Sequence, residues 1–141
     1  MKDKIFIDTN IWLYAFMEQD FKKTSIAREI IDKNMEQICL STQILNEICI
    51  NLLKKANYSE EEIKNLIKNF DEVYEIYPIR IEDCLKASEV RNKFNISYWD
   101  SLVIASALNN GCIILYSEDM QHNQIIENQL KIINPFLNNK E

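Results

Sequence analysis

Glycine is almost missing from this chain of 141 residues: Gly111 is the only one, beside two prolines, Pro78 and Pro135. One glycine cannot write G-x-G-x-x-G or G-x-x-x-x-G-K-[ST], so phosphate-cradling glycine loops are excluded, and turns fall to Asn, Asp and Ser. Histidine is equally scarce. His122 alone cannot build a histidine-rich zinc site, and neither a Cys–His nucleophile nor a G-x-S-x-G elbow is evident. The four cysteines, Cys39, Cys49, Cys84 and Cys112, are too scattered for paired zinc-ligand spacing. Cys39 and Cys112 lie in apolar runs and are expected as small buried hydrophobes, the whole set as reduced thiols of a cytoplasmic protein. No run of about 18 apolar residues occurs, so no membrane span is expected. The opening MKDKIFIDTNIWLYAF is broken by Asp8 and Asn10 and lacks a small-residue cleavage site, unlike a secretory signal.

What is present suits one compact unit. Apolar residues make up 47% of the chain and charged ones 27%, enough for a sizeable core under an ordinary surface. The net charge of −6 argues, at face value, against a nucleic-acid partner. Setting aside four acids that occupy one metal site would leave about −2, and bound dications would offset more. Acidity therefore leaves the question open.

Hydrophobic periodicity alternates strands with helices. Lys4–Asp8 reads as a strand, Asn10–Met17 and Lys23–Lys33 as helices, and Gln37–Leu40 as a strand. Ser41 or Thr42 caps a helix to about Lys55. Ser59 and Glu62 form a capping box before IKNLIKNFDEVY. Tyr74–Tyr77 reads as a strand closed by Pro78, and Ile81–Lys93 as a helix. Ser97 caps a helix to about Asn109, stopped by Gly111. Cys112–Tyr116 is expected as a strand buried on both faces, then a loop with a short helix, then Lys131–Ile133 as a last edge strand. This order predicts an α/β domain with a mostly parallel sheet over residues 1–141, about 136–141 being a frayed tail.

Open parallel sheets bind ligands at the carboxyl ends of their strands. Asp8 closes the first strand, and Asp119 lies just past CIILYS. Asp100 falls in the first turn of a largely apolar helix, and Glu47 at the margin of the Ile44–Ile48–Leu52 stripe. Each has an ordinary alternative: Asp8 and Asp100 as helix-start acids, Glu47 and Asp119 as solvated surface groups. Thr9 and Asn10 are better caps than Asp8, which makes that acid surplus to capping. Four acids from four segments can meet at one sheet edge. Clustered carboxylates repel, and Mg²⁺ or Mn²⁺, hard ions that prefer oxygen, would resolve the conflict.

IFIDTNIWLYA, NEICINLL, ISYWDSLVIASA and ILYSEDM, in that order, resemble the motifs of PIN-domain nucleases, and are most similar to VapC-type toxins of toxin–antitoxin pairs. The resemblance runs from Ile5 to about Pro135. It implies a three-layer α/β/α fold and an Mg²⁺- or Mn²⁺-dependent endoribonuclease, commonly a homodimer held inactive by a cognate antitoxin. It also implies Asp8, Glu47, Asp100 and Asp119 as catalytic, metal-binding acids, with Thr9 and Asn10 supporting the first and Ser117 near the metal. The chain departs from the pattern after Asp119. Met120-Gln121-His122-Asn123 stands where many relatives have an aromatic residue and a nearby glycine.

Lys22, Lys23, Lys54, Lys55, Arg80, Arg91 and Lys93 can reach phosphates, but each taken singly reads better as a charge on a solvated helix face. Trp12, Tyr14 and Phe16 can stack bases, yet alternating aromatics beside Tyr98 and Trp99 suit core or dimer contacts better. Trp12, Leu13, Phe16, Leu52 and Leu53 exceed what a small core needs and are expected to mark an interface. Two other classes compete. One is a degenerate PIN-like protein-binding module without nuclease activity. The other is a phosphotransfer domain with Asp8 as nucleophile, which would want an acid where Asn10 stands and a late strand-end lysine.

Overall fold

A computed structural model describes residues 3–137. Six strands and six α-helices follow in chain order: β1 Lys4–Ile7, α1 Thr9–Met17, α2 Phe21–Lys33, β2 Ile38–Ser41, α3 Thr42–Lys55, α4 Glu60–Val73, β3 Glu75–Tyr77, α5 Ile81–Lys93, α6 Tyr98–Asn109, β4 Cys112–Tyr116, β5 Ile125–Ile126 and β6 Leu130–Ile133. The strands form one sheet in the order β3-β2-β1-β4-β6-β5, parallel except for the last pair. From β1 the chain steps outward to β2 and β3, then returns across to β4 on the other side of β1. The order reverses between β1 and β4, which is where an open α/β sheet leaves a crevice beyond its carboxyl ends.

Local chemistry sets most boundaries. Ser41 accepts from the Ile44 N–H to start α3, and Ser97 accepts from the Asp100 N–H to start α6. The expected capping box of Ser59 and Glu62 is formed at α4. Gly111, at φ +78°, supplies the left-handed turn after α6 that a side chain would resist. Helix α6 is buried continuously from Ser101 to Leu108, as its unbroken apolar character predicts. Among the described residues no helix is long and apolar enough to cross a membrane.

Four expectations are overturned. Strand β4 is half-covered at Ile113, Ile114 and Tyr116 rather than buried throughout. The helix expected after it is absent. The chain instead makes β5 and turns through Glu127 and Asn128, both at positive φ, into β6. Strand β6 is therefore internal, and β5 is the edge. The expected interface residues are core: Trp12, Leu13 and Leu52 are buried, and Phe16 and Leu53 pack against the same cluster. Trp12 donates from its indole N–H to the Ile7 carbonyl at 3.1 Å and packs on Phe70 and Tyr74 at 5.0 and 5.2 Å between ring centres. Helix α4 folds back over this face and covers it. In the region expected as a tail, Phe136 sits edge-on to Tyr14 at 5.2 Å; residues 138–141 lie outside those described.

Candidate active site

The four predicted acids are brought to the crevice above β1 and β4. Asp8 follows the last residue of β1 and is buried. It is the N-cap of α1, so it is not surplus to capping: its Oδ1 accepts from the Thr9 N–H at 2.8 Å. Its other oxygen accepts from the Ser117 hydroxyl at 2.9 Å, joining the exits of β1 and β4. The side chains of Thr9 and Asn10 serve two other acids. The Thr9 hydroxyl donates to Glu47 at 2.6 Å, and the Asn10 amide donates to Asp119 at 2.7 Å. Three consecutive residues thus tie the exit of β1 to the exit of β4, to helix α3 and to the loop after β4. Asp100, held by its backbone on Ser97, shares one groove wall with Asp119.

Burial pushes the Asp8 carboxyl up to about 6, against the lowering effect of the Thr9 N–H and the Ser117 hydroxyl. The charges of Asp100 and Glu47 push it further in the same direction. Asp100 is raised as well, first by burial and then, after the opposing Ser97 bond, by the charge of Asp119. Among the described residues no ion pair reaches any of the four. Carboxylates of one sign, mutually repelling and without a protein cation, are a set that a dication relieves.

All four offer oxygen, the donor type hard dications take. Among the described residues no group of three or more His, Cys, Asp or Glu side chains lies close enough together to hold a metal ion by itself. Mg²⁺ seldom uses an all-protein cage; one or two carboxylates, waters and a substrate phosphate complete its shell. The donor set fits on those terms, with buried Asp8 the fixed member and Glu47 and Asp119 on the rim.

Glu118 and Asp119 are adjacent acids with different partners. Glu118 accepts from the Tyr14 hydroxyl at 2.7 Å and pairs with the Lys23 ammonium. That ammonium lies over the rings of Tyr14 and Phe136 at 5.0 and 5.4 Å. Burial pushes the Glu118 carboxyl up, but the bonds from Lys23 and Tyr14 outweigh it and hold it below its usual range. Tyr14 lies one helical turn beyond Asn10, so one face of α1 grips both acids of the loop. The i, i+4 spacing of Asn10 and Tyr14 was the available signal, and the aromatic alternation of Trp12, Tyr14 and Phe16 masked it.

The remaining candidates divide. Arg91 donates to the Ser101 hydroxyl at 2.7 Å and lies 4.3 Å from the centre of the Tyr98 ring. Lys93 borders the groove beside Asp100 and Asp119, and Lys55 borders a recess beside Asn10. Tyr98 and Trp99 are neither core nor covered: they form an exposed edge-to-face pair next to Asp100. His122 lies outside the acid set, its Nδ1 accepting from the Asn134 N–H at 3.0 Å. Asn123 takes φ +70°, a left-handed conformation that Asn tolerates better than most side chains. All four cysteines are free thiols, three of them buried and Cys84 exposed.

The chain matches the PIN domain family over residues 5–127 and belongs to that family. Solved structures similar to it include a toxin–antitoxin complex from Klebsiella pneumoniae, at 14% identity over 94% of this chain and 98% of that one, with a TM-score of 0.72. VapBC2 from Rickettsia felis, bound to a DNA fragment from its promoter, is 20% identical over 91% and 96%, with a TM-score of 0.63. VapC20 from Mycobacterium tuberculosis, a sarcin–ricin loop cleaving toxin, is 16% identical over 82% and 90%, with a TM-score of 0.68. At these identities the likeness speaks for the PIN-like α/β/α fold. No curated protein matches the chain.

Proposed function

We propose that this single-domain PIN protein is an Mg²⁺- or Mn²⁺-dependent endoribonuclease, the toxin of a type II toxin–antitoxin pair, acting in the cytoplasm as a homodimer. The observation that carries this reading is Asp8: a buried carboxyl at the topological switch point, raised to about 6, facing Asp100 and Glu47 with no cation paired to it among the described residues. Family membership and the toxin and toxin–antitoxin structures of the same fold support it.

Asp8, Asp100, Glu47 and Asp119 would hold the metal, which when bound lowers the pKa of a water and stabilises charge on the phosphodiester. The Thr9 N–H and the Ser117 hydroxyl fix both oxygens of Asp8, so its orientation precedes binding. Thr9 and Asn10 set the rims by holding Glu47 and Asp119. A cognate antitoxin would quench the same charges most economically with an arginine, whose guanidinium pairs bidentately with carboxylate.

The test assays Asp8→Asn, Glu47→Gln, Asp100→Asn and Asp119→Asn on an RNA that the wild type cuts, at saturating Mg²⁺. Each is expected to lose most activity while keeping its circular dichroism spectrum, Asp119 the least because it is exposed. Wild-type rates in Asp8→Asn or Asp100→Asn would overturn the assignment. A wild type whose melting curve ignores both metals would favour a protein-binding module instead. Light scattering of the purified protein, with and without a co-expressed small neighbouring gene product, tests the homodimer and the antitoxin.

A further inference from the structure

Beside the acids lies a groove of about 370 Å³ between the α5–α6 connection and the loop after β4. Asp100 and Asp119 form the wall nearest the site, and Lys93, Asn95, Gln121 and Gln124 line the rest of its polar surface. Both sides are fixed from behind. The Ile96 N–H donates to the Phe94 carbonyl at 3.0 Å, and the Asp100 N–H donates to Ser97 at 3.2 Å. Opposite, the Asn123 N–H donates to the Ile132 carbonyl at 2.7 Å, and His122 accepts from the Asn134 N–H. Asp119 and Ser97 are engaged by Asn10 and the Asp100 N–H, but the amides and the ammonium on these walls are uncommitted. Among the described residues no hydrogen bond ties the amides of Asn95, Gln121 or Gln124, and no ion pair engages Lys93. The amides of Asn10, Asn109 and Gln129, by contrast, each bond within the fold.

We propose that this groove is a base-reading subsite, taking one unpaired nucleotide next to the scissile phosphodiester; this rests on the ribonuclease reading above. An amide offers a donor and an acceptor at fixed separation, which is how Asn and Gln read the edge of a base. A neutral base tolerates the carboxylate wall that would repel phosphate, and the Lys93 ammonium, at the rim, takes the phosphate instead. A volume near the lower end of small-ligand pockets, roughly 300–1,000 Å³, admits one nucleotide and not a duplex. Unpaired bases are also the ones whose pairing edges are free to be read. The substrate is therefore single-stranded at the cut, with base identity read at one flanking position.

The test compares the wild type with Gln121→Ala/Gln124→Ala, both outside the acid set. Cleavage ends on a single-stranded RNA library randomised around the cut are sequenced. Anisotropy of a fluorescent single-stranded decamer RNA is measured with Ca²⁺ replacing Mg²⁺. The wild type is expected to prefer one base at one position flanking the cut. The double variant is expected to flatten that preference and to weaken RNA binding about tenfold, the size of one lost amide–base pair. Lys93→Gln is expected to weaken binding without altering the preference. A preference unchanged in the double variant, or decamer binding equal to wild type, overturns the subsite. Loss of affinity for a co-expressed small protein with RNA preference intact assigns the groove to that partner and overturns it too. If no RNA is cut yet decamer binding still depends on Gln121 and Gln124, the subsite stands and the hydrolytic reading falls.

Discussion

Beside the start of β1, Lys4 donates to the hydroxyl of Tyr77, the last residue of β3, at 2.9 Å, and Tyr77 donates to Glu75, the first residue of β3, at 2.8 Å. Each charge there is favoured. The Tyr77 bond holds Glu75 below its usual range and Lys4 above its own, while burial pushes Tyr77 itself up to about 12. Where the strands end, Asp8 is pushed up to about 6 and Asp100 is raised, with only hydroxyls, an amide and backbone N–H groups for company. One sheet therefore carries a region that settles its charges internally and a region that leaves them to be settled from outside. That imbalance at a switch point is what the proposed metal site would draw on.

The contrast can be broken most severely by activity. Asp8→Asn or Asp100→Asn is expected to lower RNA cleavage on the order of a hundredfold or more, whereas Glu75→Gln leaves the rate within about twofold. Equal losses at both ends of the sheet, in initial rates at saturating Mg²⁺, would erase the distinction.

Stability against pH sharpens it. A carboxyl whose folded pKa lies above its unfolded value stabilises the fold only while protonated, so metal-free protein should weaken as pH rises from about 4 through about 6. The raised Asp8 contributes up to about 3 kcal/mol of this loss. Asp8→Asn should therefore be the more stable protein at neutral pH without metal, the gap closing toward pH 4. Mg²⁺ or Mn²⁺ should raise the wild-type midpoint by mass action and the variant's much less. Chemical denaturation at pH 4.5 and 7.5, with and without metal, measures all of this. A gap independent of pH would contradict it.

Smaller effects belong to the clamp behind the site. Glu118→Gln or Lys23→Met should cost about 1 kcal/mol, since the pair is largely covered. Either variant should also raise the metal concentration needed for half-maximal rate, because Glu118 anchors the loop that bears Ser117 and Asp119. Unchanged metal dependence would reduce the clamp to a structural pair. Smallest of all, Lys4→Met at the strand starts should cost only a few tenths of a kcal/mol, its side chain being 41% exposed.

The order of elements was legible because caps and periodicity agree with the fold at nearly every boundary: Ser41, Ser59, Ser97 and Gly111 sit where the structure uses them. The β5–β6 hairpin was not, because its turn is made by Glu127 and Asn128 rather than by Asn-Gly. Asp8 and Asp119 were legible at strand ends, Asp100 at a helix start and Glu47 at the margin of an apolar stripe inside α3, yet their supports were not. Nothing in Asp8-Thr9-Asn10 says that the second and third side chains serve Glu47 and Asp119 instead of Asp8. Nor does Ser117-Glu118-Asp119 say which acid faces the crevice. The misplaced interface has a plain cause: a tally of large apolar residues on α1 and α3 cannot count what α4 brings to cover them.

The sheet closes on two residues at β5 and on three at β3, with Pro78 directly after the latter. Edges this short offer almost no ladder of free N–H and carbonyl groups for another strand to extend. The molecule is thereby guarded against stacking edge to edge into fibres when it accumulates. Pairing of two copies is left to surfaces where side chains rather than backbone choose the mate.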